Sequence, residues 1–235
     1  MTTQKLSLAP FPRMSEERVA LRPQISSTTS RRPSKSFSQI VYSPLKRVID
    51  LVGAVVLLVV FTPFMLLIAL FVRLSSPGPI IFAQRRLTDG GREFVMYKFR
   101  TMRQDAESKT GAVWARHRDP RVTFFGRILR KTHTDELPQL VNVIRGDMSL
   151  IGPRPERPEM LSKLTAEFPS FHRRHEVRAG ITGLAQTSNG YASSIETYRR
   201  KLAWDIVYVK NRCLWLDVRI AIRTLFVIFK GGSAA

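Results

Sequence analysis

From Leu51 to Val72 the chain carries no charged side chain, and aliphatic and aromatic residues fill nearly every position. A run of about 22 residues at 1.5 Å per residue matches the thickness of a bilayer core, so the pattern predicts an apolar membrane helix. Pro63 stands near the middle of the run and removes one backbone donor from the helix interior. Basic residues flank both ends, Lys46 and Arg47 before and Arg73, Arg85 and Arg86 after. Positive flanks mark the cytoplasmic side, so these residues leave two topologies open: one crossing, or a helix that enters and returns on one face. Asp50, at the start of the run, needs an interfacial position or a basic partner such as Arg47 or Arg73.

Beyond the run the period shortens. Ser75-Ser76-Pro77-Gly78-Pro79 predicts a stiff turn, Ile80–Gln84 a short strand and Asp89-Gly90-Gly91 a tight reversal. The return strand is Phe94–Arg100, where period-two geometry places Lys98 and Arg100 on one face and Tyr97 and Phe99 on the other. Phe124–Lys131 predicts a short helix, and Thr132 or Thr134 is an N-cap for a second helix from Asp135, with Pro138 in its first turn. Asp135 and Glu136 would then lie at the positive end of that helix, which favours their ionised forms. Ordinary complementation of the helix dipole explains such a pair equally well. Further on, Arg154 is held between Pro153 and Pro155, and Arg178–Gln186 is a glycine-punctuated loop. Ser193 and Glu196 form a capping box that opens a helix through about Lys210. In the last segment Arg212, Arg219, Arg223 and Lys230 fall within about 40° of one another at 100° per residue, opposite an apolar face. That profile fits a helix lying in a membrane interface and, equally, a core helix with a basic outer stripe.

Composition narrows the partners. The 235 residues hold 38 Lys+Arg against 18 Asp+Glu, a formal charge of +20, enough chain for one ordinary domain with appendages and a surface that attracts polyanions. Nucleic acid, anionic lipid and nucleotide-sugars all qualify, and the apolar run favours lipid. Residues 1–43, rich in Ser, Thr, Pro and Arg, read as a disordered basic tail without a secretory signal. The single cysteine, Cys213, excludes an internal disulfide and a Cys-based zinc site, and is expected to pack as a small hydrophobe. His117, His133, His172 and His175 lack metal-ligand company, the last two reading as a surface pair. No Walker loop, GxGxxG, HExxH, GxSxG or fixed-period repeat is present.

Together these segments resemble the monotopic bacterial phosphoglycosyl transferases, which start glycan assembly on polyprenyl phosphate. The likeness runs from about Pro44 to about Lys230 and is most specific over Asp135-Glu136-Leu137-Pro138-Gln139-Leu140 and on through Asn142–Glu156. Supporting pieces are Pro77-Gly78-Pro79, Lys98-Phe99-Arg100-Thr101-Met102, Gly180-Ile181-Thr182-Gly183 and Asp217. The resemblance implies an α+β, mostly helical monotopic membrane protein with a re-entrant helix broken at Thr62–Pro63, a small β-hairpin and interfacial amphipathic helices. The expected organisation is a tail at 1–43, a re-entrant anchor at 44–76, a cytoplasmic catalytic domain at 77–230 and a flexible end at 231–235. The resemblance further implies that Asp135 attacks the β-phosphate of a UDP-sugar and expels UMP, with Mg²⁺ held by Asp135 and Glu136. Undecaprenyl phosphate would then accept the phosphosugar, at the cytoplasmic face of the bacterial inner membrane, to begin exopolysaccharide assembly. Lys98, Arg100, Arg130 and Arg154 are the expected phosphate-neutralising cations. Nucleic acid is not an expected partner, and a homodimer is left open. The sequence departs from the family at Ala179, where proline is usual, and at Ala185, where an aromatic is common. Two competing readings remain: a membrane-anchored basic protein that binds nucleic acid or anionic lipid without catalysis, and a single-pass signalling protein. The first leaves the Asp135-Glu136 pair and the proline-framed Arg154 unexplained; the lone cysteine and the basic residues after the run speak against the second.

Overall fold

In the computed structural model, which describes residues 37–103, 106, 119–189 and 195–229, the apolar run forms most of one helix, α1 (Phe37–Ser75). α1 begins within the stretch expected as tail; the rest of that stretch, residues 1–36, and the short end at 231–235 lie outside the described residues. The helix runs on through Thr62 and Pro63, so the residues expected to break it do not end it. Pro63 has no N–H to give, and the Thr62 hydroxyl donates to the Leu58 carbonyl at 2.6 Å. Among the described residues α1 is the one helix long and apolar enough to cross a membrane, and most of its surface is uncovered: Val59 is 69% exposed and Leu66 67%.

The covered stripe of α1 touches the rest of the protein along nearly its whole length. Ala54 is buried with Phe94, Met96, Leu140, Val143 and Met148, while Ile68 and Val72 are buried with Phe99 and Leu129. Each large apolar side chain fully buried in these clusters contributes about 1.5–3 kcal/mol. Polar ties reinforce the first half. Arg47 donates to the Val143 and Ile144 carbonyls at 2.7 and 2.9 Å, at the negative end of α3 (Gln139–Arg145). Asp50 pairs with Lys46 at 3.2 Å and accepts from the Leu150 N–H at 3.1 Å. Its basic partner is therefore Lys46, one helical turn away, rather than Arg47 or Arg73; Arg73 instead donates to Gly78 O.

The hairpin forms as expected and is longer on its first strand. β1 (Ile81–Leu87) pairs antiparallel with β2 (Glu93–Phe99), with Ile81 opposite Phe99 and Leu87 opposite Glu93. The reversal puts Gly90 and Gly91 at φ 65° and 75°, a region glycine enters without strain. Phe94 and Met96 point into the core, and Lys98 follows on that face.

A second, parallel pair joins β3 (Met148–Ile151), a segment given no element from the sequence, to β4 (Ala179–Thr182), which lies in the stretch expected as a glycine-punctuated loop. The chains approach so closely there that a Cβ on Gly180 would collide with the Gly152 backbone. Between them lies α4 (Leu161–Glu167), whose Leu164 packs with Phe168, Phe171, Tyr198 and Leu202. α5 (Leu184–Asn189), α6 (Ile195–Asn211) and α7 (Leu214–Phe229) complete the fold. α6 matches the expected helix, although the Ser193 half of its capping box lies outside the described residues. Asp217 of α7 accepts from Tyr42 at 2.8 Å and Tyr208 at 3.0 Å and pairs with Lys46 at 3.1 Å, tying α1, α6 and α7 together.

In α7 the apolar stripe faces outward, with Trp215, Val218, Ile222, Leu225 and Phe226 exposed and Arg219 and Arg223 half-buried. This is the opposite of a core helix with a basic outer stripe. Cys213 is exposed between α6 and α7, not packed as expected, because it falls in the turn where neither helix covers it. Of the expected surface pair, His172 is exposed, while His175 packs edge-on against Phe171 at 5.3 Å.

Candidate active site

The Asp135-Glu136 pair owes its position to how the preceding helix ends. α2 (Phe124–Thr132) starts at Thr123, whose hydroxyl accepts from the Gly126 N–H at 2.9 Å, and it stops at His133 in the left-handed conformation, φ 56°. A 3₁₀ turn, Thr134–Glu136, follows, and α3 begins only at Gln139 after Pro138. The two carboxylates therefore occupy a turn between helices, not the first turn of a helix from Asp135. Neither threonine caps such a helix: the Thr132 hydroxyl turns back to the Ile128 and Leu129 carbonyls at 2.9 and 3.1 Å and meets Thr134 Oγ1 at 2.8 Å.

Within that turn the carboxylates are treated differently. Glu136 is 7% exposed and is held by Lys98 Nζ at 2.7 Å and by Arg154, Nη2 to Oε1 at 2.6 Å and Nη1 to Oε2 at 3.3 Å. Burial opposes its charge, but Arg154 and Lys98 outweigh burial and hold the carboxyl well below the usual range. Asp135 is also 7% exposed, yet among the described residues no hydrogen bond or ion pair engages its carboxylate. Burial, with Glu136 adding to it, pushes Asp135 up to about 6 against the pull of Lys98, Arg130 and Arg154. Its carboxylate is therefore a buried group within electrostatic reach of Lys98, Arg130 and Arg154 but bonded to none of them among the described residues.

The expected cations separate into two groups. Lys98 and Arg154 meet at Glu136, and Arg130, oriented by a 2.9 Å bond from Nε to Thr101 Oγ1, is close enough for its charge to act on Asp135. Arg100 is not brought to the carboxylates. β2 ends at Phe99, so the alternation that would have aligned Arg100 with Lys98 stops one residue short, and Nη2 binds Ser76 O and Oγ at 2.6 and 3.0 Å. His133 belongs with the site and was not singled out from the sequence: burial lowers its pKa, Glu136 opposes this, and Arg154 and Lys98 add to it. Its position two residues before Asp135 was the only available signal.

The donor set can be tested against a divalent cation. Mg²⁺ takes one or two carboxylates and completes its octahedron with water and substrate phosphate, so it does not need a preformed cage. Among the described residues no cluster of three His, Cys, Asp or Glu exists, but the free Asp135 oxygens fit this mode, with Glu136 already largely committed to its two cations.

The model of the bacterial sugar transferase family matches residues 41–231. The chain belongs to that family. Among its relatives, the chain is 45% identical over 194 residues to a UDP-N-acetylgalactosamine-undecaprenyl-phosphate N-acetylgalactosaminephosphotransferase of Aeromonas hydrophila, covering 83% of this chain and 46% of that one. It is 42% identical over 196 residues to a UDP-glucose:undecaprenyl-phosphate glucose-1-phosphate transferase of Caulobacter vibrioides, covering 83% of this chain and 73% of that protein. An exopolysaccharide production protein of Rhizobium leguminosarum bv. phaseoli is 40% identical over 186 residues, 77% of this chain and 93% of the relative. The chain thus spans about half the length of the Aeromonas protein and nearly all of the Rhizobium one.

The two departures from the family pattern have structural counterparts. The Ala179 N–H donates to Thr88 Oγ1 at 3.2 Å, a bond a proline would lack. Ala185 is 2% exposed in α5, which leaves no open space for an aromatic ring without repacking.

Proposed function

We propose that this transferase moves a sugar 1-phosphate from a UDP-sugar to undecaprenyl phosphate through a phosphosugar ester on Asp135, releasing UMP and opening exopolysaccharide assembly. The observation that carries this reading is the contrast inside the dyad: Glu136 is bound by both Lys98 and Arg154, while among the described residues no hydrogen bond or ion pair engages the Asp135 carboxylate beside it. In the first displacement an Asp135 carboxylate oxygen bonds to the β-phosphorus, the P–O bond to the bridging oxygen breaks, and UMP leaves with that oxygen. In the second, an oxygen of the lipid phosphate attacks the same phosphorus and the Asp135–phosphorus bond breaks, regenerating the carboxylate. One phosphoanhydride replaces another, so the exchange lies near unity without a further energy source.

A carboxylate is a weak nucleophile, and attack on a phosphoryl group depends mainly on alignment and charge neutralisation. Lys98 and Arg154, fixed by Glu136, and Arg130, fixed by Thr101, supply positive charge around the transferring group. Mg²⁺ held at Asp135, with Glu136 alongside, would add neutralisation on the diphosphate when bound.

The reading extends to the membrane. Tyr42 near one end of α1 and Val72 near the other are both buried against the same domain. A helix standing across a bilayer would carry one of these ends some 30 Å away, beyond the hydrocarbon core. α1 is therefore read as re-entrant and bent at Thr62–Pro63 in the membrane, with the outward apolar stripe of α7 in the interface and the site at headgroup level on the cytoplasmic face of the inner membrane.

Purified protein incubated with Mg²⁺, a panel of UDP-sugars and undecaprenyl phosphate should release UMP and label the lipid; Asp135→Asn should abolish both, and Cys213→Ser should leave them unchanged. Normal turnover by Asp135→Asn would refute the scheme. In a Cys213→Ser background, single cysteines at Pro44 and Ser76 should react from the same side of sealed vesicles, and reaction from opposite sides would establish a full crossing.

A further inference from the structure

Arg154 reaches Glu136 from a segment whose backbone is held at four successive carbonyls. Pro153 O accepts from the Gly180 N–H at 2.9 Å, Arg154 O from Arg174 Nη2 at 2.6 Å, Pro155 O from Arg86 Nη1 at 3.0 Å and Glu156 O from the Leu87 N–H at 2.9 Å. The prolines on either side fix φ as well, so the guanidinium of Arg154 projects from a rail with little freedom.

Of these four donors, Arg174 is the one that extends the hold into a buried charge network. Its side chain is 1% exposed, and it donates to Glu156 Oε1 and to the Tyr198 hydroxyl, both at 3.0 Å. Asp205 Oδ2 lies 2.8 Å from Nη2, an ion pair whose geometry falls short of a hydrogen bond. Phe171 stacks below, 5.4 Å from the guanidinium carbon to the ring centre, and Lys201 pairs with Glu156 from the next turn of α6. A guanidinium suits this node: it stays charged, and its planar fork serves several acceptors at once.

We infer that Arg174 is a positioning residue for phosphosugar transfer, bracing the Arg154 backbone against α6 so that the Arg154 guanidinium meets the transferring phosphoryl group in register. The inference rests on the proposed function. Displacing a charge-neutralising group by about 1 Å costs on the order of 100-fold in rate. Loss of the brace therefore acts on turnover through Arg154, although Arg174 touches neither carboxylate of the dyad. A residue needed only for folding would lower the amount of active enzyme without making its effect depend on Arg154.

A double-mutant cycle separates the two. Arg174→Gln, Arg154→Gln and the double variant, each in native lipid particles, are compared for kcat, for KM toward the UDP-sugar and for melting temperature. The expected result is a fall in kcat of about tenfold or more for Arg174→Gln at a KM within about twofold of wild type, and a loss of less than about twofold when the same change is made in the Arg154→Gln background. Losses that multiply independently would overturn the inference. If Arg174→Gln does not fold, Arg174→Lys takes its place in the cycle. Lysine keeps the buried charge but lacks the fork, so full wild-type kcat in Arg174→Lys would also overturn it. Failure of wild-type enzyme to release UMP would remove the proposed function and this inference together, whereas multiplicative losses in an active enzyme would remove the inference alone.

Discussion

Glu136→Gln removes the one negative charge shared by Lys98 and Arg154 while nearly preserving shape. Both cations then remain in a partly buried pocket without a counter-charge. Breaking a fully buried pair in this way costs about 3–5 kcal/mol. Here the Lys98 and Arg154 side chains are 15% and 25% exposed, so water screens part of the loss, and Asp135 is close enough to recapture some of the charge. The lower end, about 3 kcal/mol, is the expected size. For a chain of this length each kcal/mol moves the midpoint by about 2–4 °C, which predicts a drop of about 6–12 °C. Differential scanning fluorimetry in native lipid particles would measure it. Lys98→Met added to Glu136→Gln should recover part of the drop, because one of the stranded charges is gone. Transfer should fall as well, since the released cations turn to Asp135 and its carboxylate is no longer free. A midpoint within about 2 °C of wild type would show that the dyad's electrostatics are not as described.

Other consequences reach the site through residues that support it. Lys201 and Arg174 outweigh burial and keep Glu156 ionised well below its ordinary value of 4.5, so its stabilisation is complete above that value and is lost as acid protonates it. The melting-temperature gap between wild type and Glu156→Gln should therefore narrow as pH falls from about 6 to about 3, and a constant gap would argue against the pairing. Gly126→Ala would drive a Cβ into the Thr101 backbone, forcing α2 away from the residue that orients Arg130. The expected outcome is a stability loss of about 1–3 kcal/mol with a clear fall in UMP release, and an unchanged rate would mean that the Thr101–Arg130 contact is dispensable.

Local pattern made some parts of this protein legible and left others hidden. The uncharged run before Arg73, the hairpin around Asp89-Gly90-Gly91 and the helix over Phe124–Lys131 were readable because their signals are periodic or depend on residues with strong backbone preferences. The start of α3 was not. A left-handed His133 ends α2 and inserts a 3₁₀ turn, and nothing about histidine announces that conformation in advance. β3 and β4 were hidden for a different reason: four-residue strands, one followed by Gly152-Pro153 and the other containing Gly180, give no strand signal until a distant segment pairs with them.

In the site, the roles of Asp135 and Glu136 came from the resemblance and Lys98, Arg130 and Arg154 were candidate cations from their places in the sequence; the structure brings Lys98 and Arg154 to Glu136 and Arg130 near Asp135. Arg100 was misplaced because strict alternation was carried past the end of β2. Arg174 had no local signal at all. Its role depends on residues 20 positions before it and 31 after it in the chain, a separation over which periodicity says nothing.

The most direct test of the account is mass spectrometry of the enzyme quenched during turnover with a UDP-sugar, in the absence of lipid acceptor. The account predicts a peptide containing Asp135 that carries the mass of one sugar phosphate, formed with one equivalent of UMP and discharged when undecaprenyl phosphate is added. UMP release and lipid labelling with Asp135 unmodified at every quench time would contradict it.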